Sequence, residues 1–205
     1  MKVDIISMSF GFNKDIEEIE GAIIDAYKNG ILVFAAASND RQLADDFQIS
    51  FPASMPYGVF CINAHSAGHT PKWSEFNPRC LPTRDNFCAV GEDIFGPGST
   101  QQDGKGPDKL FSGTSFATPI AAGIAALVLE YVRIHKSLQP HRGIKEGERE
   151  ELRNYQTMRA VFMTMCSPMF YYGRENPILP WRLLRDEADY ESWDTIKDAM
   201  KRKDN

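Results

Sequence analysis

The sequence predicts an α/β fold with a doubly wound parallel sheet and one buried central helix. Apolar runs of strand length alternate with segments of helical periodicity, the pattern of parallel strands joined by right-handed crossovers. Ile120 to Leu129 is apolar on every side and rich in alanine, which is typical of a helix that neighbouring backbone approaches closely. A chain of 205 residues that is 42% hydrophobic and 25% charged can bury one substantial core, so disordered and fibrous classes are excluded.

The chain begins with a strand, a helix and a second strand. Val3 to Met8 is an apolar run with two polar interruptions, which favours a strand buried on both faces. Asn13 is a candidate N-cap for the helix that follows, and Asn29-Gly30 is expected to end it. Ile31 to Ala37 then supplies the second strand. The three segments together predict a right-handed βαβ unit.

Two further strands are predicted before the central helix. Gly58 to Ala64 is an apolar run of strand length, and Phe87 to Val90 is a shorter one. Gly91 to Asp108 is rich in glycine and proline, which favours an irregular loop. The central helix is expected to end near His135.

Beyond the central helix the sequence predicts three segments. Residues 137–147 form a polar linker with one proline and two glycines. Glu148 to Cys166 carries apolar residues at helical spacing, which predicts an amphipathic helix packed on the core. Residues 167–205 form a C-terminal tail that is expected to end in a charged helix from Asp189 to Arg202.

Charge and cysteine usage limit the partners and cofactors. A net charge of −5 without a basic stripe makes nucleic acid an unexpected partner. The first residues lack a signal-peptide pattern, and the ten apolar residues of the central helix are too few to span a bilayer. We therefore expect an intracellular, cytoplasmic chain with no membrane partner. Four cysteines without paired spacing predict free thiols, and we expect no metal and no cofactor.

Ser115 and Asn39 are the candidate catalytic residues. A serine that opens a helix places its hydroxyl among N–H groups without intrahelical partners, where an oxyanion would find donors. Pro119 fits this interpretation, since a proline in the first turn sacrifices no helical hydrogen bond. Asn39 follows a predicted strand at its carboxyl end, where open α/β sheets bind ligands. Two alternatives stay open: an N-cap hydroxyl and a turn-forming asparagine.

The order of residues along the chain tests which serine chemistry applies. Gly113-x-Ser115-x-Ala117 is similar to the nucleophile elbow of α/β-hydrolases, but in that fold an acid and then a histidine follow the serine. The aspartates after Ser115 all come later than both of the histidines that follow it, and the only acid between Ser115 and His135 is Glu130, at the end of the same helix, so this order fails. The order His, Asp, Ser through His65 or His69 and Asp93 belongs to an all-β fold, which the alternating pattern excludes.

The remaining order, Asp then His then Ser, belongs to subtilisin, and four blocks of the sequence resemble the subtilase family in family order. They are Ser7-Met8-Ser9-Phe10-Gly11, Ala35-Ala36-Ala37-Ser38-Asn39, Phe51-Pro52-Ala53 and Gly113-Thr114-Ser115-Phe116-Ala117-Thr118-Pro119-Ile120-Ala121-Ala122-Gly123. The resemblance implies a partial doubly wound parallel sheet of the subtilisin type. Residues 1–136 would be the C-terminal part of the catalytic domain, and residues 148–166 would be a packing helix of the same domain.

The resemblance implies roles for individual residues. Ser115 would be the nucleophile, and Asn39 would be the side-chain donor of the oxyanion hole. Thr114 would help to set the serine loop. The two walls of the pocket that binds the polypeptide substrate would be Ser9, Phe10 and Gly11 on one side and Ala36, Ala37 and Ser38 on the other. Ser38 stands where the family has a glycine, which narrows the space beside the oxyanion hole.

The aspartate and histidine blocks of the family precede the Ser7 block, and the sequence contains neither. We therefore expect a serine endopeptidase that works through an acyl-enzyme on Ser115, with its Asp and His supplied by an upstream segment. The chain alone is then expected to be inactive. The alternative is a catalytically incomplete module that binds peptides or regulates. A substitute triad from Asp4 or Asp40 with His65 or His69 fits the chain order, but the resemblance places these residues away from the triad positions.

Overall fold

A five-stranded parallel sheet forms the centre of the computed structural model, which describes residues 3–39, 49–68, 71–81, 83–98, 106–138, 147–166, 175–184 and 189–202. The strands are β1 (Ile5–Met8), β2 (Leu32–Ala36), β3 (Val59–His65), β4 (Phe87–Val90), β5 (Ile94–Gly98), β6 (Gly106–Phe111) and β7 (Asn176–Pro177). The helices are α1 (Glu17–Lys28), α2 (Thr114–Leu138), α3 (Glu148–Leu152), α4 (Tyr155–Met165) and α5 (Asp189–Lys201). The sheet order is β1-β2-β3-β4-β7, and every neighbouring pair is parallel.

Alternate residues of β2 enter two different cores, one on each face of the sheet. Leu32 and Phe34 join a cluster with α2, α4 and α5, whereas Val33 and Ala35 join a cluster with α1 and the turn after Phe51. This alternation follows from the two-residue period of a strand. Helices therefore cover both faces, and the predicted doubly wound α/β fold is confirmed.

The first strand and the first helix depart from the sequence prediction in detail. β1 is the edge of the sheet, and its residues Ile5 and Ile6 are only half-buried, so the expectation of burial on both faces is wrong. Asn13 is not the N-cap of α1, because Ile16 occupies that position without a side-chain bond. Three glutamates in the first turn instead offset the positive end of the helix dipole. Asn29 caps the carboxyl end as predicted.

The central helix α2 is buried on the sheet side and exposed on the other. It contacts β1, β2, β3 and β4, and Ala121 and Val128 on that side are completely buried. On the outer side Gly123 is exposed and Leu127 is 58% exposed. Thr114–Ile134 is long and apolar enough to cross a membrane by length and composition. The prediction that the central helix is too short to span a bilayer is therefore wrong. The core helix of a globular domain passes the same test, and half of this segment is buried.

The hydrophobic segment after the linker forms two helices instead of one. α3 ends at Leu152, and Asn154 begins α4 by accepting a hydrogen bond at its side chain from the Gln156 N–H, 2.8 Å away. An asparagine in this capping role satisfies one of the free N–H groups of a new helix, which explains the break. Met158 and Phe162 of α4 are fully buried in the core, as the amphipathic pattern predicted.

The segment predicted as an irregular loop contains an antiparallel hairpin of β5 and β6. Phe95 and Leu110 face each other across the two strands and are 70% and 60% exposed. On β6, Phe111 stacks on Phe116, with ring centroids 5.2 Å apart, and so joins the hairpin to the start of α2. Glycine and proline masked the strand pattern here, since both occur within β5 itself.

The C-terminal residues pack onto the same core. β7 extends the sheet beyond β4, and the predicted charged helix α5 is present with Trp193, Ile196, Ala199 and Met200 buried in the cluster that contains α2. Most of the predicted linker, residues 139–146, lies outside the described residues. The predicted boundaries between the catalytic part, the linker, the packing helix and the tail stay a prediction.

Candidate active site

A cleft of about 210 Å³ lies at the carboxyl edge of the sheet. Its lining contains every candidate site residue except Ala37: Ser9, Phe10, Gly11, Asn13, Ala36, Ser38, Asn39, Ser50, Thr114 and Ser115. Ala37 is fully buried behind the cleft, where its carbonyl accepts a hydrogen bond of 2.8 Å from the Ser50 N–H. Two lining residues, Asn13 and Ser50, were missed. Each lies within two residues of a subtilase-like block, and that adjacency was the available signal.

Ser115 is the second residue of α2, so its hydroxyl lies at the positive end of the helix dipole. The turn before it depends on Gly113, whose φ of +139° favours glycine. The Gly113 N–H donates to the Gly91 carbonyl at 2.7 Å, which ties the turn to the end of β4. The helix start, the turn and the sheet thus hold the nucleophile candidate in a fixed position.

Ser9 and Ser115 form a reciprocal pair across the cleft. The Ser9 hydroxyl donates to the Ser115 carbonyl at 2.8 Å, and the Ser115 hydroxyl donates to the Ser9 carbonyl at 3.4 Å. The second distance is long for an O–H donor, so the Ser115 hydroxyl is only weakly held. Little energy is therefore needed to turn this hydroxyl towards another acceptor.

The Asn39 side chain is oriented by Thr114. The Thr114 N–H donates to Asn39 Oδ1 at 2.8 Å, and the Thr114 hydroxyl donates to the same atom at 3.1 Å. Because an N–H group can only donate, the atom that faces it must be the amide oxygen. Asn39 Nδ2 therefore stays available as a donor, and within the described ranges no protein acceptor takes it. A Cβ added at Gly113 would lie 2.8 Å from this Nδ2, so only glycine permits this arrangement.

The wall formed by Ser9, Phe10 and Gly11 is exposed to solvent and packed against Ser50. A Cβ added at Gly11 would come within 2.6 Å of the Ser50 Cβ, so glycine is required for the wall to approach the floor of the cleft. Just beyond it, Phe12 and Phe51 exchange two backbone hydrogen bonds of 2.8 and 3.0 Å. This wall is therefore anchored beside Phe51 and accessible to solvent.

No histidine is placed to activate Ser115 in the described part of the chain. His65 is 2% exposed, does not line the cleft and directs Nδ1 to the Ser66 carbonyl at 2.7 Å. Burial lowers its pKa, and the Ser66 carbonyl and Glu92 offset part of that effect. Asp4 pairs with Arg153 at 3.1 Å. The other two candidates for a substitute triad, Asp40 and His69, lie outside the described residues.

The cysteines and acidic residues supply no second chemistry at this site. Cys61, Cys80, Cys88 and Cys166 are free thiols, and burial raises the pKa of Cys88 well above its usual value. Among the described residues no group of histidine, cysteine and acidic side chains could hold a metal ion. The cleft combines a serine at a helix start, an amide donor beside it and an exposed wall, which are groups that acyl transfer can use.

The model of the subtilase family matches residues 1–173, and the chain belongs to that family. It is 35% identical to the subtilisin-like protease het-Q2 of Podospora anserina over 64% of this chain and 35% of that protein. It is 32% identical to the major intracellular serine protease of Bacillus subtilis (strain 168) over 63% of this chain and 38% of that protein. The chain thus spans little more than a third of the curated relatives that it matches.

Two solved structures show the same fold. The structure of the prenylagaramide maturation protease PagA matches with a TM-score of 0.55 and 27% identity, over 80% of this chain and 52% of that one. The protease domain of PatA, solved as its S218A mutant, matches with a TM-score of 0.62 and 23% identity, over 95% of this chain and 60% of that one. The parallel sheet and its central helix are therefore those of subtilisin-type proteases.

Proposed function

We propose that the chain is the C-terminal part of a serine endopeptidase domain, with Ser115 as nucleophile and Asn39 as side-chain donor of the oxyanion hole. The observation that supports this most is the fixed Asn39 amide, whose oxygen is bound by Thr114 and whose NH₂ group stays available next to the serine. A module that only binds peptides has no physical need for a donor held in this way. Family membership supports the same reaction class.

The reaction that this geometry serves is acyl transfer. The Ser115 Oγ would attack the carbonyl carbon of a peptide bond while a base takes its proton. The oxyanion that forms would accept hydrogen bonds from Asn39 Nδ2 and the Ser115 N–H, and the leaving amine would take a proton as the C–N bond breaks. Water would then hydrolyse the acyl-enzyme on Ser115. Polypeptide substrates would lie extended along Ser9, Phe10 and Gly11.

The base and its orienting acid would come from a segment upstream of this chain. Two surfaces fit such a segment: the free edge of β1 and the outer side of α2. Within the described residues, Ile5 and Ile6 are half-buried and Leu127 is 58% exposed, so both surfaces present apolar side chains to solvent. The matched region covers only 35% and 38% of the two relatives, which leaves ample length for this segment.

An intracellular, cytoplasmic location is part of the proposal. It is supported by the names of two relatives, the major intracellular serine protease of Bacillus subtilis and the intracellular serine protease of Paenibacillus polymyxa. The acidic sequence supports polypeptides over nucleic acids as partners.

The test is peptide hydrolysis by a protein extended upstream through the aspartate and histidine blocks. We expect hydrolysis that Ser115→Ala reduces by about 10⁶-fold, which is the loss that removal of the nucleophilic serine causes in subtilisin, a protein of the same family. Ser54→Ala is the matched control, since Ser54 lies in a half-buried turn outside the cleft and should leave turnover unchanged. Hydrolysis that survives Ser115→Ala, or an upstream reading frame without the two blocks, would remove the support for this function.

A second candidate is a peptide-binding or regulatory module that does not cleave. The observation in its favour is that the Ser115 hydroxyl has the Ser9 carbonyl as its one described partner, while the cleft is already formed. Equilibrium binding of extended peptides to the 205-residue chain tests it. Saturable binding without cleavage by the extended protein would favour the module over the peptidase.

A further inference from the structure

A second cavity of about 220 Å³ lies at the edge of the sheet opposite to Ser115. It lies where β3 begins, between the residues before β4 and the first turn of α4. Its lining is Met55, Pro56, Tyr57, Val59, Cys61, Thr83, Arg84, Asp85, Asn86, Tyr155, Gln156 and Arg159. It shares no residue with the catalytic cleft.

The lining of this cavity carries a net positive charge. Arg84 donates to three backbone carbonyls, those of Ala53, Ser54 and Met55, so its charge is held by peptide dipoles and not by a carboxylate. Arg159 donates through Nε and Nη2 to the two oxygens of Asp85, at 2.7 and 2.6 Å. The lining therefore holds two guanidinium groups and one carboxylate. The Asp85 oxygens are occupied, so the remaining charge can attract an anion.

Donors for such an anion remain unused in the described structure. Arg159 keeps Nη1, and Arg84 keeps Nε, since neither atom takes part in the bonds above. Tyr155 also lines the cavity, and its hydroxyl has no described hydrogen-bond partner. Burial, with a smaller contribution from Asp85, raises the pKa of Tyr155 to about 12, so this hydroxyl keeps its proton at neutral pH. It can therefore donate to a bound anion.

The lining also contains apolar side chains. They are Met55, Pro56 and Val59, together with the ring of Tyr57. Pockets that combine an apolar wall with a few polar groups orient a ligand by its polar end and bind its body by burial. We infer that this cavity binds a small carboxylate with a short apolar body, with the carboxylate next to Arg84, Arg159 and Tyr155. The inference is independent of the proposed peptidase function.

Calorimetric titration of the 205-residue chain with sodium benzoate tests the site. Benzoate combines a carboxylate with a flat apolar ring, benzamide is its neutral analogue, and inorganic phosphate supplies anionic charge without an apolar body. We expect saturable binding of benzoate at millimolar concentration, at least tenfold weaker binding of benzamide and phosphate, and no signal from sodium chloride at equal ionic strength. Equal binding of benzamide or phosphate, or no saturable binding of benzoate, would overturn the inference.

Variants locate the binding within the molecule. Arg159→Gln should abolish saturable binding, and Tyr155→Phe, which keeps the ring and the fold, should weaken it about fivefold, the value of one hydrogen bond. Arg133→Gln is the matched control, since Arg133 pairs with Glu130 on the exposed side of α2, and it should change nothing. Benzoate affinity that stays the same in Tyr155→Phe and Arg159→Gln would place the binding elsewhere and refute the site.

Discussion

The two edges of the parallel sheet differ in how completely they are covered. At one edge β4 pairs with β7, and α5 packs against α4 beside it, with Ile196 fully buried. At the other edge β1 pairs only with β2 in the described structure, and Ile5 and Ile6 stay half-buried. The candidate nucleophile lies next to the less covered edge, through Ser9 at the end of β1. The well-covered edge therefore belongs to the core, whereas the candidate site lies beside the edge that is open in the described structure.

Helix α2 shows the same contrast between its two sides. Its inner side is packed tightly against the sheet, and a Cβ at Gly91 would already lie 2.9 Å from the Ala117 Cβ. Its outer side has nothing within 4 Å of a Cβ added at Gly123. Small residues on the inner side are explained by close packing on the sheet. Those on the outer side fit the proposal that another helix or strand approaches there.

Two substitutions by alanine, one beside the covered edge of the sheet and one on the outer side of α2, should differ strongly in how far they lower the free energy of unfolding. Ile196→Ala removes a fully buried side chain and should lower the free energy of unfolding by about 2–5 kcal/mol. Leu127→Ala removes a side chain that is 58% exposed and should lower it by less than about 1 kcal/mol in the 205-residue chain. Urea denaturation measures both values.

The same pair in the upstream-extended protein tests what covers α2. There the proposed segment would pack on the outer side of α2. The loss of unfolding free energy caused by Leu127→Ala should then rise towards the value for a buried residue, whereas the loss caused by Ile196→Ala should stay constant. A Leu127→Ala cost that is equal in the two proteins would contradict the proposal that an upstream segment packs on this side.

The next effect concerns Asn39, the proposed oxyanion donor, which lines the cleft beside Ser115. In the extended protein, Asn39→Ala should lower kcat by about 10²–10³, with KM nearly unchanged, because the amide acts on the oxyanion of the transition state. Asn29→Ala is the matched control, since Asn29 caps α1 far from the cleft and should leave kcat unchanged. A change confined to KM would mean that Asn39 binds the ground state of the substrate.

The order and type of the main elements were predictable because they rest on local patterns. The alternation of strand runs with helical periodicity sufficed for β1 to β4, and the capping residues sufficed for the end of α1. Two helices were merged in the prediction because the apolar spacing continues across Asn154, whose capping role appears only in the folded backbone. The hairpin was missed because glycine and proline hide its alternation.

The candidate site was predictable where its residues lie in contiguous blocks. Gly113, Thr114 and Ser115 form one block, and their turn depends on local backbone geometry. Asn13 and Ser50 join the cleft only through contacts across the fold, such as that between Gly11 and Ser50. Which residues of α2 form the exposed side, Gly123 and Leu127 among them, was not predictable, because composition reports apolar character and not which side is covered.

A smaller effect on the free energy of unfolding is expected from pH, through His65 of β3, which lies between the two edges of the sheet. Burial holds its pKa below the usual value, so the unfolded chain binds the proton first as pH falls. Stability should therefore be complete above about pH 6.5 and should fall below it by up to about 1.4 kcal/mol per pH unit, until the lowered pKa of the folded state is reached. His65→Phe should remove the contribution of one proton to this slope, which is up to about 1.4 kcal/mol per pH unit. An unchanged pH slope of the unfolding free energy in the variant would show that other groups cause it.

The reactivity of Ser115 itself separates a complete site from an incomplete one. A phosphonate probe that reacts with activated serines would be applied to the 205-residue chain and to the upstream-extended protein under identical conditions. The Ser115 hydroxyl has no described base, so we expect no label on the 205-residue chain within the time that labels the extended protein completely. Ser115→Ala in the extended protein should abolish the label. Rapid labelling of the 205-residue chain at Ser115 would contradict the proposal of an upstream base and would require a base within this chain.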